Sequence, residues 1–281
     1  MFNALSLGLI AALAWGFHDF AVRLSSRDNP LMSTLLSVLF IGGIFHLGFI
    51  VVGGEIGPIN APAIRLSIVA GISFLMASVS LYVAFKRGPV KLVAPIIGSY
   101  PILSLLLATI NGGASNIWQW LAVLAVVAGI GVLAISSQDE DVQFKPLPTI
   151  LISLAAAIGF AVTFEIGQIA ASMADEGLTI LITRAVALIV LLAVMLVRKM
   201  PMLPHLQLLP TLIFMGLMDA LALFCVLSAG TMADAKFASV GSSIFGMVTV
   251  LLSWIFLREK LNLIQWCGCV TVFIGIGYLA L

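Results

Sequence analysis

Charged side chains are scarce in this chain. Asp, Glu, Lys and Arg make up only 9% of its 281 residues, while hydrophobic types make up 62%. A soluble domain carries about 25% charged residues, so lipid rather than water is the expected surrounding. The formal net charge is only +1, which gives no reason to expect a nucleic-acid or an acidic partner. The composition therefore predicts a multi-pass protein of the cell membrane.

Patterns for metal, disulfide or enzyme chemistry are also missing. Cys225, Cys267 and Cys269 lie in apolar segments without paired or metal-type spacing, and the three histidines belong to remote segments. The one acidic cluster, residues 139–141, lies beside serines and far from any His or Arg constellation, whereas membrane enzymes acting on phosphates need clustered acids for their metal ions. The sequence contains no repeated pore ring or filter motif of the kind that channels use. We expect neither an enzyme nor a cofactor nor a metal.

Apolar runs long enough for membrane helices fill most of the chain. A bilayer core needs about 20 apolar residues per helix. Ten such spans are predicted, near residues 4–24, 31–52, 66–86, 90–110, 117–136, 148–170, 178–198, 207–229, 236–256 and 262–280. Gly and Pro pairs such as Gly88-Pro89 and Gly112-Gly113 separate them. The predicted fold class is therefore an all-α integral membrane protein with ten transmembrane helices.

The chain contains an internal sequence repeat. Residues 119–134 and 265–280 share a Gln-Trp pair followed by Gly-Ile-Gly, at a constant offset of 146. Residues 12–17 and 155–160 share an Ala-rich run that ends in Gly-Phe, at an offset of 143. We therefore predict two five-helix repeats, residues 1–137 and 148–281, joined by a polar linker over residues 138–147. Duplicated membrane units are typical of secondary transporters.

The basic residues predict that the two repeats are inverted. Five is an odd number, so a second copy enters the membrane from the opposite side. The odd-numbered loops carry Arg23, Arg27, Lys86, Arg87, Lys91, Lys145, Arg198, Lys199, Arg258 and Lys260. The even-numbered loops carry only Arg65 and Lys236. Because loops rich in Lys and Arg stay in the cytoplasm, the odd loops are expected there and both termini outside.

Several motifs resemble the drug/metabolite transporter superfamily, and within it the EamA-type transporters. They are Trp15-Gly16 in the first span, Tyr100-Pro101 in the fourth, Arg184 in the seventh, Leu257-Arg258-Glu259-Lys260-Leu261, Gln265-Trp266 and Gly275-x-Gly277. The resemblance covers the whole chain and implies transport of a small metabolite. The first repeat departs from the family pattern: residues 112–116 lack the usual Glu-Arg/Lys turn, Ser37 stands at the position matching Arg184, and Gly246 stands at the position matching Pro101.

Asp219 is the clearest candidate for a coupling residue. It lies near the middle of the eighth span among apolar neighbours, where an ionisable group costs roughly 2.5–3.5 kcal/mol on insertion scales. Such a cost calls for either a structural partner or a function. Two interpretations of Asp219 are possible. Its carboxyl group could be hydrogen-bonded to a neighbouring helix, or it could exchange protons or cations with the transport pathway.

Glu165 and Arg184 are expected to form an ion pair. Each lies about six residues from the same membrane surface, or roughly 9 Å deep at 1.5 Å per residue. The pair could brace two helices, act as a gate or anchor a substrate carboxylate, and Gln168 shares the face of Glu165. In the first span, Asp19 is expected to pair with Arg23 one turn later, while His18 could relay protons.

The fourth span is expected to be broken and to line a cavity. Pro95 and Pro101 each remove a backbone donor, and Ser99 and Tyr100 lie between them. Broken backbone persists in a membrane only against protein or a watery cavity, although a simple packing kink is the alternative. The matching stretch of the ninth span, residues 241–246, contains Ser243 and Phe245.

Aromatic and small residues give further expectations. Trp15, Phe17, Tyr82, Tyr100 and Phe245 could form an aromatic pocket suited to an apolar amino acid, or to an amine held by cation–π attraction; ordinary packing is the alternative. The glycines of the Gly-x-Gly motifs, at 129, 131, 275 and 277, are expected to serve close helix packing or a homodimer contact.

These observations favour a secondary transporter that moves a small metabolite, such as an amino acid, across the cell membrane by alternating access. Export is the preferred direction, and proton coupling is part of the hypothesis. The alternative is an importer of a vitamin or an amine of the riboflavin or choline kind. A channel and a membrane-embedded enzyme are the remaining alternatives.

Overall fold

The structure, a computed structural model, is all-helical in the part of the chain that it describes. That part comprises residues 3–25, 30–53, 57–103, 106, 116–136, 146–232, 235–259 and 261–279. Several predicted features lie outside it: Arg27, Gly54, the Gly112-Gly113 turn, almost all of the linker with Lys145, Lys260, and the end of the fourth span.

Eleven α-helices are assigned in the described residues. They are α1 (Ala4–Ser25), α2 (Leu31–Gly53), α3 (Ala61–Arg87), α4 (Val90–Gly98), α5 (Ile117–Ser136), α6 (Pro146–Met173), α7 (Glu176–Val197), α8 (Leu209–Ser228), α9 (Lys236–Ser242), α10 (Phe245–Phe256) and α11 (Leu263–Leu279). Short 3₁₀ turns at Leu206–Leu208 and Ala229–Thr231 flank α8.

The predicted membrane class is confirmed. Eight helical segments are long and apolar enough to cross a membrane, and one of them, Phe237–Phe256, joins most of α9 to α10. Two shorter apolar segments, Val90–Leu103 and Leu263–Tyr278, occupy the places of the fourth and tenth predicted spans. Large apolar side chains cover the outside of the bundle, as lipid contact requires.

Two helices begin earlier than their hydropathy indicates, because polar caps fix their first turns. The Asn60 side chain accepts a hydrogen bond from the Ala63 amide at 2.8 Å, so α3 begins at residue 61 rather than 66. Asp175 accepts one from the Leu178 amide at 2.8 Å, which starts α7 at residue 176. Capping oxygens of this kind satisfy amides that have no partner within the helix. They also place the two loops side by side, since Asp175 also accepts from the Gly57 amide.

The packing pattern supports the predicted inverted duplication. In the first half, α3 packs against α6 and α7 of the second half. In the second half α8, the counterpart of α3, packs against α1 and α2, the counterparts of α6 and α7. Three further pairs join counterparts directly: α2 with α7, α4 with α10, and α5 with α11. These pairs map onto one another when the halves are exchanged, as a duplicated unit leads one to expect.

The repeated glycines lie at one of these symmetric contacts. A Cβ atom added to Gly129 on α5 would come within 2.7 Å of the Val272 side chain and 2.8 Å of the Gly268 carbonyl on α11. A Cβ added to Gly275 would come within 2.7 Å of Val126 and 2.9 Å of the Ala122 carbonyl on α5. Small residues let these helices approach closely, as expected. The second glycine of each motif has open space around it.

This difference predicts the result of four matched substitutions. Gly129→Val and Gly275→Val should each lower the melting temperature of the purified protein by several degrees, because backbone atoms that cannot move aside obstruct the new side chain. Gly131→Val and Gly277→Val should leave it nearly unchanged, since nothing lies within 4 Å of their added Cβ atoms. Equal destabilisation at both positions of a motif would contradict this packing.

Candidate functional site

A small cavity lies at the centre of the bundle, between helices of both halves. Its lining residues are Trp15, His18, Asp19, Leu35, Val38, Ser78, Leu81, Tyr82, Tyr100, Phe160, Phe164, Asp219 and Phe245. The volume open to the centre of a water molecule is about 20 Å³, which is room for one or two waters. The cavity is therefore nearly filled by its own side chains in this conformation.

Stacked aromatic rings form one wall of the cavity. Phe164 stacks on Trp15 with ring centroids 5.2 Å apart and on Phe160 at 5.6 Å. Tyr100 meets the edge of Phe164 at 5.1 Å, and Phe245 meets Trp15 at 6.4 Å. The structure thus gathers the predicted Trp15, Tyr100 and Phe245 around one space. Phe17, in contrast, is exposed and packs against Phe214 outside the cavity.

Asp219 is held by two partners from other helices. Its Oδ1 accepts a hydrogen bond from the Trp15 indole N–H at 3.1 Å. Its Oδ2 accepts one from Nη1 of Arg184 at 2.5 Å, within a buried ion pair. The expected pair between Glu165 and Arg184 is therefore wrong. Equal depth in the membrane did not decide the pairing, because Arg184 faces α2 and α8 whereas Glu165 is exposed.

The Arg184 side chain is completely buried. A Cβ atom at Gly42 of α2 would lie 2.9 Å from its Cζ atom, so glycine makes room for the guanidinium. The guanidinium also lies over the Phe74 ring, 5.1 Å from the centroid, at a distance suited to cation–π attraction. Its Nε and Nη2 atoms have no hydrogen-bond partner among the described residues. The Asp219 charge is therefore the main compensation for Arg184.

His18 and Asp19 form a second polar group on the cavity wall. The imidazole Nδ1 lies 2.8 Å from Oδ1 of Asp19, and Nε2 lies 3.3 Å from the Tyr82 hydroxyl. The predicted pairing of Asp19 with Arg23 is wrong, since Arg23 pairs with Glu259 in the loop between α10 and α11. Asp19 is 1% exposed, and its Oδ2 has no hydrogen-bond partner among the described residues.

The fourth and ninth spans are both broken at the level of the cavity. α4 contains Pro95 and ends at Gly98, and a turn at 99–100 precedes Pro101. A turn at 243–244 separates α9 from α10. The Tyr100 hydroxyl bridges the two breaks, because it lies 2.5 Å from Oγ of Ser242 and donates to the Ser239 carbonyl.

Three residues that were expected to line the cavity instead form part of the broken helix segments. Ser99 donates to the Ile96 carbonyl at 2.7 Å and Ser243 to the Val240 carbonyl at 2.6 Å. Both hydroxyls thus satisfy carbonyls of their own helix ends. Pro95 is fully buried inside α4. Among the described residues that line the cavity, the broken segments contribute Tyr100 and Phe245.

A second pocket lies on the other side of Tyr100 and Phe164. Glu165, Gln168 and Ser239 line it together with Pro101, Ala161 and Val240. Gln168 donates to the Val226 carbonyl at 2.8 Å and to Oγ of Ser239 at 3.1 Å. The Tyr100 and Phe164 rings line both this pocket and the central cavity. They therefore form the partition between the two spaces.

A polar network closes the cavity at the opposite end of the bundle. Glu259 accepts from Nη2 and Nε of Arg23 at 3.2 and 3.3 Å, and its other oxygen accepts from the Val90 amide at 3.2 Å. Arg23 also donates to the Phe85 carbonyl at 2.6 Å. Deeper on the same side, Lys91 donates to Gln265 at 3.1 Å. These bonds tie α1, α3, α4 and the α10–α11 loop together.

Sequence reasoning missed Phe160, Phe164 and Ser78 as lining residues, and Glu259 as the partner of Arg23. Phe160 and Phe164 are four residues apart, so they share a helix face. Nothing in their type distinguishes a cavity wall from lipid-facing packing. The partners of Arg23 are separated from it by 236 residues for Glu259 and 62 for Phe85, and only the tertiary structure brings them together.

Comparison with known proteins places this bundle in a family. The sequence pattern of the EamA-like transporter family matches residues 2–135 and, a second time, residues 147–281. The chain belongs to the EamA-like transporter family. This membership confirms the resemblance to the drug/metabolite transporter superfamily noted from the motifs, and the membrane-length helices make the chain a multi-pass membrane protein.

Two proteins are distantly similar to this chain. An "Uncharacterized transporter" of Archaeoglobus fulgidus is 25% identical over 157 residues, which are 55% of this chain and 55% of that protein. The match thus spans about half the length of that relative. An uncharacterized protein of Methanocaldococcus jannaschii is 23% identical over 138 residues, which are 49% of this chain and the whole of that protein. A crystal structure of a protein 17% identical superposes with a TM-score of 0.71 over 98% of this chain and 95% of its own, which shows the fold alone.

The buried ion pair predicts a strong coupling between two substitutions. Arg184→Gln and Asp219→Asn should each destabilise the protein by about 3–5 kcal/mol, because each leaves one buried charge uncompensated. The double variant should be more stable than the sum of the two losses predicts, since it leaves no bare charge.

Thermal unfolding in detergent, combined into a double-mutant cycle, measures this coupling. Arg198→Gln is the matched control, because Arg198 directly follows α7 and is exposed, so its loss should change stability by no more than about 0.5 kcal/mol. Strictly additive effects of the Arg184 and Asp219 substitutions would contradict the pairing.

Proposed function

We propose that this EamA-like transporter is a carrier that moves a small metabolite through the central cavity by alternating access. The observation that carries the proposal is the cavity itself. Helices of both halves surround it, and it contains ionisable groups that are costly in a membrane interior. A static bundle has no need of such a space, whereas a carrier needs a site near the middle of the membrane between its two halves.

Different contacts close the cavity at the two ends of the bundle. This difference supports a closed state that opens more easily at one end than at the other. At the end of the bundle that carries Arg23, Glu259 and most of the basic loop residues, an ion pair and backbone hydrogen bonds join several segments. We call this the basic end. Towards the opposite end, the Tyr100 and Phe164 rings lie between the cavity and the second pocket. Parting these two rings would join the two spaces.

We assign the basic end to the cytoplasm. The odd-numbered loops carry most of the Lys and Arg residues, and such loops are retained inside. Both termini then lie outside, and the closed state has its thicker barrier towards the cytoplasm. Export would follow if the metabolite enters when the Arg23–Glu259 network opens and leaves when Tyr100 and Phe164 move apart.

The proposed motion is a rocking of two inverted five-helix repeats, residues 1–137 and 148–281. Two observations support this division. The main contacts between helices of different halves map onto one another when the halves are exchanged. In addition, about half of this chain matches the whole length of the relative from Methanocaldococcus jannaschii. A unit of that size that exists alone is what a gene duplication starts from.

Proton coupling belongs to the same proposal, and we assign it to His18 and Asp19. Asp219 suits this role less well than its position indicates, because Arg184 and Trp15 hold both of its oxygens. Asp19 keeps one oxygen without a partner among the described residues, and its other oxygen lies 2.8 Å from Nδ1 of His18. Flux under an imposed pH gradient tests the assignment, since Asp19→Asn should abolish the gradient dependence.

Filling the cavity should stop transport, at a cost in stability of about 1–3 kcal/mol because the added ring overpacks a small space. Ser78 on α3 lines the cavity, and Ser78→Phe would place a ring in a space that holds one or two waters. Ile72 lies on the same helix but is 52% exposed towards lipid, so Ile72→Phe is the matched control. A solute found by thermal-shift screening of amino acids, amines and vitamins would be followed into proteoliposomes.

Saturable uptake with exchange across the membrane is expected for the unmodified protein and for Ile72→Phe, as for a carrier. Ser78→Phe should fall to the level of empty liposomes, while its size-exclusion profile stays unchanged. Flux that does not saturate, or that persists in a folded Ser78→Phe variant, would refute transport through this cavity.

A further inference from the structure

We propose that the central cavity, when it opens beyond the room for one or two waters that it has in this conformation, binds a small organic monocation, such as a primary amine, with Asp19 as its anionic partner. This inference rests on the proposed function and names the class of solute that the same site takes. It follows from the charge balance around the cavity, from one unpartnered oxygen and from the aromatic wall.

The charges around the cavity do not cancel. Asp19 and Asp219 line it, and Arg184 pairs with Asp219 from behind. In the state with both carboxyl groups ionised and His18 neutral, these two carboxylates and the one guanidinium that pairs with them among the described residues give a net charge of −1. A bare carboxylate is expensive in a medium of low dielectric constant, and a cation beside it removes most of the cost. The site is therefore matched to a solute with one positive charge.

Asp19 is the residue that remains available to such a solute. Both oxygens of Asp219 accept hydrogen bonds, from Trp15 and from Arg184. Oδ1 of Asp19 lies against His18, but Oδ2 has no partner among the described residues. The side chain is buried and belongs to the cavity lining. An ammonium group, which has only donors, satisfies such an oxygen directly.

The remaining wall suits the organic part of an amine. Trp15, Phe160, Phe164, Tyr100 and Phe245 surround the same space with their rings. Ring faces attract cations and also pack against hydrocarbon. A carboxylate solute, by contrast, would meet Asp19 with like charge, because the one guanidinium near this site is already turned towards Asp219.

A proton on His18 is the competing counter-charge. It would neutralise Asp19 without any solute, and the cavity would then hold only a proton. Binding is therefore measured over a range of pH, because a solute that competes with a proton at one site binds more tightly as the pH rises. Competition between the proton and the amine at one site would also link amine movement to the pH gradient.

The experiment uses three ligands of nearly equal shape: 2-phenylethylamine as the cation, 2-phenylethanol as the neutral control and phenylacetate as the anion. Each is added to the purified full-length protein, and the melting temperature is followed against concentration. Ligands that bind the folded state raise it in proportion to occupancy. The amine should stabilise the protein saturably, with a dissociation constant at least tenfold lower than that of the alcohol, and phenylacetate should have no effect.

Two variants identify the residues responsible. Asp19→Asn keeps the size of the side chain and removes its charge, so the preference for the amine over the alcohol should disappear. Phe164→Leu removes a ring face and should weaken amine binding by about three- to tenfold while keeping the order of the ligands. If Asp19→Asn does not fold, the Phe164→Leu result and the comparison of ligands still decide the matter.

The outcomes separate this inference from the proposed function. Stronger binding of the alcohol or of phenylacetate, or an amine effect that persists in Asp19→Asn, overturns the cation site. Saturable flux of a neutral or anionic solute that Ser78→Phe blocks would then leave the carrier standing with a different solute class. Amine binding without any saturable flux would keep the site and overturn the carrier.

Discussion

The cost of burying charge in a membrane organises the centre of this transporter. Arg184 is completely buried, and the Asp219 carboxylate that lies against it offsets the cost of burying its charge. This pair joins α7 to α8, and the Trp15 indole links the same carboxylate to α1. Gly42 on α2 leaves space for the guanidinium. One ion pair thereby fixes the relative position of four helices around the cavity.

The broken spans extend this arrangement towards the opposite end. A proline interrupts the fourth span, and the ninth span breaks at the matching level without one. Glycines on both sides of the crossing let the two chains approach: a Cβ at Gly98 would meet the Ser243 carbonyl at 2.9 Å, and one at Gly246 would meet the Ala94 carbonyl at 2.8 Å. Breaks of this kind expose backbone groups that a neighbouring chain or a cavity must satisfy. Tyr100 does this with its hydroxyl and forms the cavity wall with its ring.

More of the fold than of the candidate site could be predicted from the sequence. Hydropathy and repeated glycines predict helices and close packing, because lipid contact and small-residue contacts leave local patterns. The partners of Arg184 and Arg23 could not be predicted, since depth in the membrane gives one coordinate of a side chain and the rotation of its helix gives the other. Phe160 and Phe164 show the same limit, because a phenylalanine facing a cavity and one facing lipid look alike in sequence. The position of Asp219 in the middle of an apolar span indicates that it is important, but the sequence does not show the Arg184 partner that decides its role.

The central claim is that two inverted halves open the cavity alternately at its two ends. Double electron–electron resonance on the full-length protein in lipid nanodiscs tests it with two pairs of spin labels. One pair, at Lys86 and Arg258, spans the basic end, and the other, at Ala61 and Thr231, spans the opposite end; all four residues are exposed. Between pH 5.5 and pH 8.5, or on addition of a transported solute, one distance distribution should lengthen while the other shortens. Distances that stay unchanged, or that lengthen together at both ends, would contradict alternating access.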